Sequence, residues 1–181
     1  MNPEPPPLLG LAIYLGALLA QRAHELAMSA RNARALRERG ATERGSLNHL
    51  FLVFIHAVLP LALAAEVIFG GARPSSNWPV FLAFLLAAEG MRLASMRALG
   101  PLWTARVLVV PAQARLTRGI YRCFRHPSYL AAAIELAAAP LMFGAWRTAA
   151  VMSVLNLPAI AVRIRQEDNA LASHPKVSPQ D

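Results

Sequence analysis

The sequence predicts an all-α polytopic integral membrane protein with about five transmembrane helices. Three observations carry that prediction. Of the 181 residues, 56% are hydrophobic and only 15% charged, with a positive mean hydropathy, far from the balance of a water-soluble domain. The apolar residues follow one another in closely spaced runs that leave no soluble module of 50 residues or more, so residues 1–181 read as one membrane domain. The arginines gather in the gaps between runs, where lipid headgroups would meet them.

The first run begins at Pro7 and is unbroken to Ala20. It extends to Met28 if Gln21, Arg22, His24 and Glu25 face protein or the interface, giving a span over about 7–28. At about 1.5 Å per residue such a helix crosses a bilayer core of about 30 Å. A signal peptide is the rival reading, but residues 1–7 hold no basic residue and no small-x-small cleavage site leads into soluble sequence. The stretch Ser29-Ala-Arg-Asn-Ala-Arg-Ala-Leu-Arg-Glu-Arg39 reads as a basic interfacial helix with Leu36 and its alanines inward, or as a plain topology anchor. Further spans are expected over about 50–69, 78–96, 129–146 and 148–164, with a helix end emerging over 163–172. Gly70-Gly-Ala-Arg-Pro-Ser-Ser-Asn77 is a turn-rich linker. Phe143-Gly-Ala-Trp-Arg147 is a tight turn, so the last two spans form a C-terminal helical hairpin.

Charge asymmetry sets the orientation. One linker holds Arg31, Arg34, Arg37, Arg39 and Arg44, and another holds Arg97, Arg106, Arg115, Arg118, Arg122 and Arg125. With five spans the tail bearing Arg163, Arg165 and Lys176 falls on the same side, and only Arg73 and Arg147 fall opposite. The positive-inside rule makes that side cytoplasmic, with the N-terminus outside and the C-terminus inside.

Several function classes are disfavoured. The net charge of +8 is not arranged as a basic face with interleaved aromatics, which argues against nucleic acid. The single Cys123 permits no internal disulfide or CxxC site, and His24, His49, His56, His126 and His174 are too scattered for a metal centre. Neither an inverted repeat nor broken-helix glycines point to a transporter.

Ionisable residues inside spans are functional hypotheses by default. Glu25 can pair with Arg22, and Glu89 with Arg92, both at i,i+3. Glu66 can reach the outer interface. Glu135, two turns inside its span, is expected to bond a partner such as Asn156 or to be protonated.

The linker over 99–128 differs in kind, being too polar to span and too apolar for a free loop. It ends in Arg118-Gly-Ile-Tyr-Arg-Cys-Phe-Arg-His-Pro-Ser-Tyr129, set directly against the last hairpin. Arg163-Ile-Arg-Gln-Glu-Asp168 answers it at the hairpin's far end. Charges so placed cost free energy unless they meet one another, a headgroup or a polar ligand. Gly119 to Tyr129, then Glu135 and Pro140, then Arg163 and Glu167, resemble the isoprenylcysteine carboxyl methyltransferases and their phospholipid methyltransferase relatives. Glu25 to Arg34, Gly40-Ala-Thr-Glu43 and Trp103-Thr-Ala-Arg106 are similar to a short bacterial branch associated with polyketide synthases.

That resemblance implies a membrane-embedded methyltransferase of the bacterial inner membrane, using S-adenosylmethionine without a Rossmann domain or a metal. It puts cofactor contacts on Gln113, Ala114, Arg115 and Leu116, on Tyr121, on His126, Pro127, Ser128 and Tyr129, and on Glu167. The substrate-orienting arginine falls on Arg163. The residue types suit these roles: a carboxylate accepts from a ribose or amino group, and tyrosine rings can face a sulfonium cation. Read by themselves, Arg163 and Glu167 at i and i+4 are better read as a surface salt bridge than as a site. The implied acceptor is lipophilic: a prenylcysteine carboxylate, the enol of a long-chain alkylpyrone or alkylresorcinol, or a phospholipid amine. The N-terminal similarity favours the polyketide lipid. A non-catalytic lipid-binding or scaffolding bundle and a phospholipid N-methyltransferase are the alternatives. Two departures bear on the substrate: the chain lacks the additional spans of longer eukaryotic members, and Gln166-Glu-Asp168 stands where members often carry several glutamates.

Overall fold

The apolar runs fold as α-helices. The computed structural model describes residues 8–110 and 116–172, and among these α1 (Leu8–Glu38), α2 (Ser46–Ile68), α3 (Trp78–Leu99), α4 (Pro127–Met142) and α5 (Trp146–Ala172) carry the architecture. Ser46–Ile68, Trp78–Leu102 and Trp146–Ala172 are each long and apolar enough to cross a membrane. α4 is apolar but has only 16 residues, and the second half of α1 is polar. Large apolar side chains such as Phe54, Leu61, Leu86 and Val154 project outward, as an integral membrane protein requires of its lipid-facing surface.

Local chemistry sets the helix ends. Pro79 and Pro127 stand in the first turns of α3 and α4, where the missing N–H would have no helical partner. α4 stops at Met142 because the next residues turn sharply: Gly144 has φ 73° and packs against the backbone carbonyl of Arg73 in the α2–α3 linker. The turn brings α4 and α5 together as the C-terminal hairpin. Gly45 opens α2 with φ 66°, where an added Cβ would meet the terminal amide of Gln166. These two glycines make a graded prediction. Gly144→Ala is expected to cost at least ~2 kcal/mol, because rigid backbone must move, whereas Gly45→Ala displaces only a flexible side-chain end and costs about 1 kcal/mol. Thermal unfolding of the two purified variants in detergent measures the difference.

The basic stretch after the first apolar run is no separate interfacial element. α1 runs through it without a break to Glu38, where the Ala41 N–H donates back to the Leu36 carbonyl at 3.0 Å. Nor is the linker after α3 without strand. β2 (Val107–Val109) pairs antiparallel with β1 (Thr42–Arg44), Thr42 opposite Val109 and Arg44 opposite Val107. All three β2 residues are buried, and β-branched valines suit such a pleated, covered position. Ser29 and Asn32 of α1 hold the same linker: Ser29 Oγ accepts from the Ala105 N–H at 2.9 Å, and Asn32 Nδ2 donates to the Trp103 carbonyl at 2.8 Å. Glu43 bridges Arg106 at 2.5 Å and Arg37 at 2.8 Å. Burial works against its charge, but the two guanidiniums outweigh it and hold the carboxyl below the usual carboxylate range.

Within a bilayer, helices gain little from the hydrophobic effect, so close packing and polar contacts must join them. Leu11 of α1, Leu63 and Val67 of α2, and Phe143 and Ala145 of the last turn form one cluster. Ile55, Leu59, Leu136 and Met152 form another across α2, α4 and α5. Between α1, α3 and α4 lies an ionic joint. The expected local pairs exist, Arg22 to Glu25 at 2.6 Å and Arg92 to Glu89 at 3.7 Å, but they belong to a larger network. Glu135 is not joined to Asn156; it is held by both Arg22 and Arg92. The reason is charge: a buried carboxylate gains far more from two guanidiniums than from a carboxamide. Gln21 completes the network by donating to Glu25 at 2.9 Å and to Glu89 at 2.7 Å. Glu66 also has a role other than the one expected. It accepts from the backbone N–H groups of Arg147 and Thr148 at 3.2 and 2.7 Å, satisfying orphan donors in the first turn of α5.

Candidate active site

α1 and α2 meet near Leu11, Leu63 and Val67 and do not pack closely toward their other ends. The space between them belongs to a cavity of about 480 Å³, within the range of small-molecule sites (about 300–1,000 Å³). α1 contributes Leu18, Leu19 and Leu26, and α2 contributes Leu52, Val53 and Ala57. Leu19, Leu26 and Val53 are also exposed on the outer surface, so the cavity opens sideways through an apolar gap. Its opposite wall is α5, which presents Asn156, Ile160, Arg163, Glu167 and Leu171, a three-and-four spacing that keeps them on one helical stripe. β2 and Trp103 close the end nearest the linker.

At that end the charged clusters converge. Tyr121, His126, Pro127, Ser128, Tyr129, Arg163 and Glu167 all line the same cavity. Pro127 starts α4, and Tyr129, two residues on, reaches α5. The Tyr129 hydroxyl donates to Glu167 Oε2 at 2.5 Å and accepts from Arg163 Nε at 3.1 Å. A second Arg163 nitrogen, Nη2, donates to the Ala105 carbonyl. Arg163 is only 4% exposed, so this is no surface ion pair; Arg163 and Glu167 communicate through the Tyr129 phenol. The guanidinium also lies 5.6 Å from the centre of the Tyr129 ring, and the His126 ring stacks on the same tyrosine ring at 5.6 Å between centroids. His126 is bracketed by carboxylates, with Nδ1 3.9 Å from Glu167 and Nε2 3.4 Å from Asp168. Arg125 reaches Asp168 at 3.1 Å, fixing the motif to α5 from outside. Burial pushes the Tyr121 phenol up, and the Glu167 charge adds to the shift, so this ring is a neutral hydroxyl.

Of the other expected contacts, Leu116 is half-buried and stands apart from the cavity lining, and Gln113, Ala114 and Arg115 lie outside the described residues. The cavity also draws on residues that the motifs did not indicate. Arg22, Glu25 and Arg92 line it from the ionic joint, and His49, His56 and Asn156 line it from α2 and α5. Among the described residues, no group of three or more His, Cys, Asp or Glu side chains gathers as a metal site. One buried carboxamide on the cavity wall lacks partners: Asn156 makes no hydrogen bond at either atom. Such a group costs roughly 1–3 kcal/mol unless something else satisfies it. The signal for Asn156 was its seven-residue separation from Arg163, two turns along one helix face.

Comparison with known proteins bears on the family of the chain. An uncharacterized protein of Bacillus subtilis (strain 168), YpbQ, is 32% identical over 162 residues, covering 90% of this chain and 96% of that protein. An uncharacterized protein of Haemophilus influenzae is 29% identical over 166 residues, covering 91% of this chain and 96% of its own. No solved structure gives a significant match. The isoprenylcysteine carboxyl methyltransferase family model matches residues 81–173, from α3 through the linker and the hairpin that carry Tyr121, His126, Tyr129, Arg163 and Glu167. With its helices suited to a membrane and its motif residues gathered on one cavity, the chain belongs to the isoprenylcysteine carboxyl methyltransferase family.

Proposed function

We propose that the protein is an S-adenosylmethionine-dependent O-methyltransferase whose cofactor occupies the Tyr121–Glu167 end of the cavity and whose lipophilic acceptor occupies the apolar remainder. The family is one of membrane methyltransferases; the cofactor and the reaction at oxygen are the further step. One observation carries it: a single cavity joins a polar end built of aromatic rings and a carboxylate to an apolar gap between α1 and α2. The donor set suits the cofactor. Glu167 accepts one hydrogen bond from Tyr129 and keeps lone pairs for a ribose or amino group, and the Ser128 hydroxyl lines the same end. Tyr121 and Tyr129 present ring faces suited to a cation. Gln113, Ala114, Arg115 and Leu116 are assigned to the same molecule by the family resemblance alone.

When bound, the cofactor supplies an electrophilic methyl group on a sulfonium. The rest is positioning. Arg163 uses Nε and Nη2 on Tyr129 and Ala105, which leaves the Nη1 hydrogens to orient an acceptor oxyanion. An acidic acceptor arrives already ionised, so in-line displacement needs alignment and exclusion of water more than a base. Leu18, Leu52, Val107 and Ile160 supply the dry walls. The guanidinium disfavours a protonated amine, and the acceptor is therefore a carboxylate or acidic enol, such as a prenylcysteine or a long-chain alkylpyrone. The positive-inside rule puts this mouth on the cytoplasmic side, where the cofactor is dissolved. Titration of S-adenosylmethionine into detergent-solubilised protein tests the reading. Saturable binding is expected, weakened at least about tenfold in His126→Ala and in Glu167→Ala, the loss of about one charge-assisted hydrogen bond. No binding at millimolar cofactor would overturn it.

A further inference from the structure

We propose that Asn156 and His56 form a second polar anchor in the cavity, which binds an uncharged hydroxyl or carbonyl oxygen of the lipophilic acceptor and helps select it. The inference rests on reading this cavity as the acceptor site, and goes beyond that reading by adding specificity residues distinct from Arg163.

The Asn156 carboxamide is fully buried, at 0% exposure, yet neither its oxygen nor its nitrogen has a hydrogen-bond partner, and it lines the cavity. A structural asparagine in a membrane helix binds a neighbouring carbonyl or a polar side chain on the next helix. Asn156 does neither, although Glu135 and its arginines lie in the same bundle and pair with each other instead. Across the cavity on α2, His56 Nδ1 lies 2.8 Å from the Leu52 carbonyl. A carbonyl can only accept, so Nδ1 carries the proton and Nε2 of the neutral ring is left as an acceptor. Pro60, one turn further on, has no N–H, so the His56 carbonyl lacks the helix partner it would otherwise have.

The remaining cavity wall at this level is Leu52, Val53, Ala57 and Ile160. Arg22, Glu25 and Arg92 line the cavity too, but their charges are engaged with one another and with Glu135. What is offered at the anchor is a neutral donor and neutral acceptors, with Arg22, Arg92 and Glu135 near His56 already paired among themselves. That set matches an uncharged oxygen on a long apolar molecule and gives a carboxylate no counter-charge. Asn156 stands two turns from Arg163 on the same stripe, about 10 Å along the axis at about 1.5 Å per residue. The anchored oxygen is therefore a different one from the oxygen at the Arg163 end.

The test uses two probes of equal length, 1-hexadecanol and hexadecane, neither carrying an acidic oxygen. Trp103 is buried in the cavity wall, so its fluorescence reports binding once the outward-facing Trp78 and Trp146 are replaced by phenylalanine. The quantity read is the alcohol-to-alkane affinity ratio in one detergent, where micelle partitioning cancels between variants. Asn156→Leu is expected to lower the ratio about tenfold, the worth of a buried hydrogen bond, while binding hexadecane at least as well as before. His56→Phe, which keeps a ring of similar size, is expected to lower it in the same direction. Ratios unchanged within about twofold in both variants would overturn the anchor, as expected if the carboxamide were satisfied by water alone. Cofactor titration of the same samples is read separately: failure there counts against the methyltransferase reading, and an unchanged probe ratio against this one.

Discussion

Replacing Arg92 by methionine is expected to cost about 3–5 kcal/mol, the range for breaking a buried ion pair by removing one partner. The ionic joint holds three carboxylates, Glu25, Glu89 and Glu135, against two guanidiniums, Arg22 and Arg92. Losing Arg92 would leave Arg22 as the one guanidinium facing all three acids in a site whose arginine and Glu135 are nearly covered. Glu135→Gln costs less, since it balances the charges of the joint and keeps a carboxamide oxygen to accept from one arginine. The two substitutions therefore differ in size although both disrupt the Arg92–Glu135 pair, with Glu135→Gln costing roughly a third as much. Unfolding of both variants by heat or by rising dodecyl sulfate, followed by circular dichroism, compares them. Equal losses would show that charge balance does not govern the joint.

Arg163→Ala is expected to lower the rate of methyl transfer by about 10²-fold, because the acceptor oxygen loses its alignment with the methyl donor. Two functions go together. On the proposed reading the side chain orients the acceptor oxygen; it also fixes Tyr129, whose phenol it holds at 3.1 Å while Nη2 anchors the Ala105 carbonyl. Arg163→Lys is expected to recover little of the rate, because an ammonium cannot reproduce a fork that reaches two protein groups and still presents further donors. Transfer of a labelled methyl group to prenylcysteine and long-chain enol acceptors, measured beside cofactor affinity, separates the roles. Full turnover in Arg163→Ala with unchanged cofactor affinity would remove this residue from acceptor orientation.

The sequence made some of this arrangement legible and hid the rest for physical reasons. Helices of a membrane protein announce themselves through long apolar runs, so α2, α3 and α5 were evident from composition. The two short strands were not, because Thr42–Arg44 and Val107–Val109 are too brief to carry a period and pair across a long stretch of intervening chain. The local ion pairs Arg22–Glu25 and Arg92–Glu89 could be read from i,i+3 spacing, but their joining through Glu135 depends on how three helices meet. Tyr121, His126, Tyr129, Arg163 and Glu167 were found through a motif and then brought to one cavity by the α4–α5 hairpin. Asn156 had no motif to mark it. A lone amide in an apolar run resembles packing until its neighbours are known to ignore it.

The unfilled gap between α1 and α2 has an evolutionary consequence. The family model begins at residue 81, so the Tyr121–Glu167 end of the cavity lies within the matched region, whereas the helices bordering the lateral opening lie outside it. Mutations in Leu19, Leu26 or Val53 can reshape what the cavity admits without touching Tyr129, Arg163 or Glu167. On the proposed reading, the lipid admitted can change through the amino-terminal helix pair while the carboxy-terminal hairpin is left as it is.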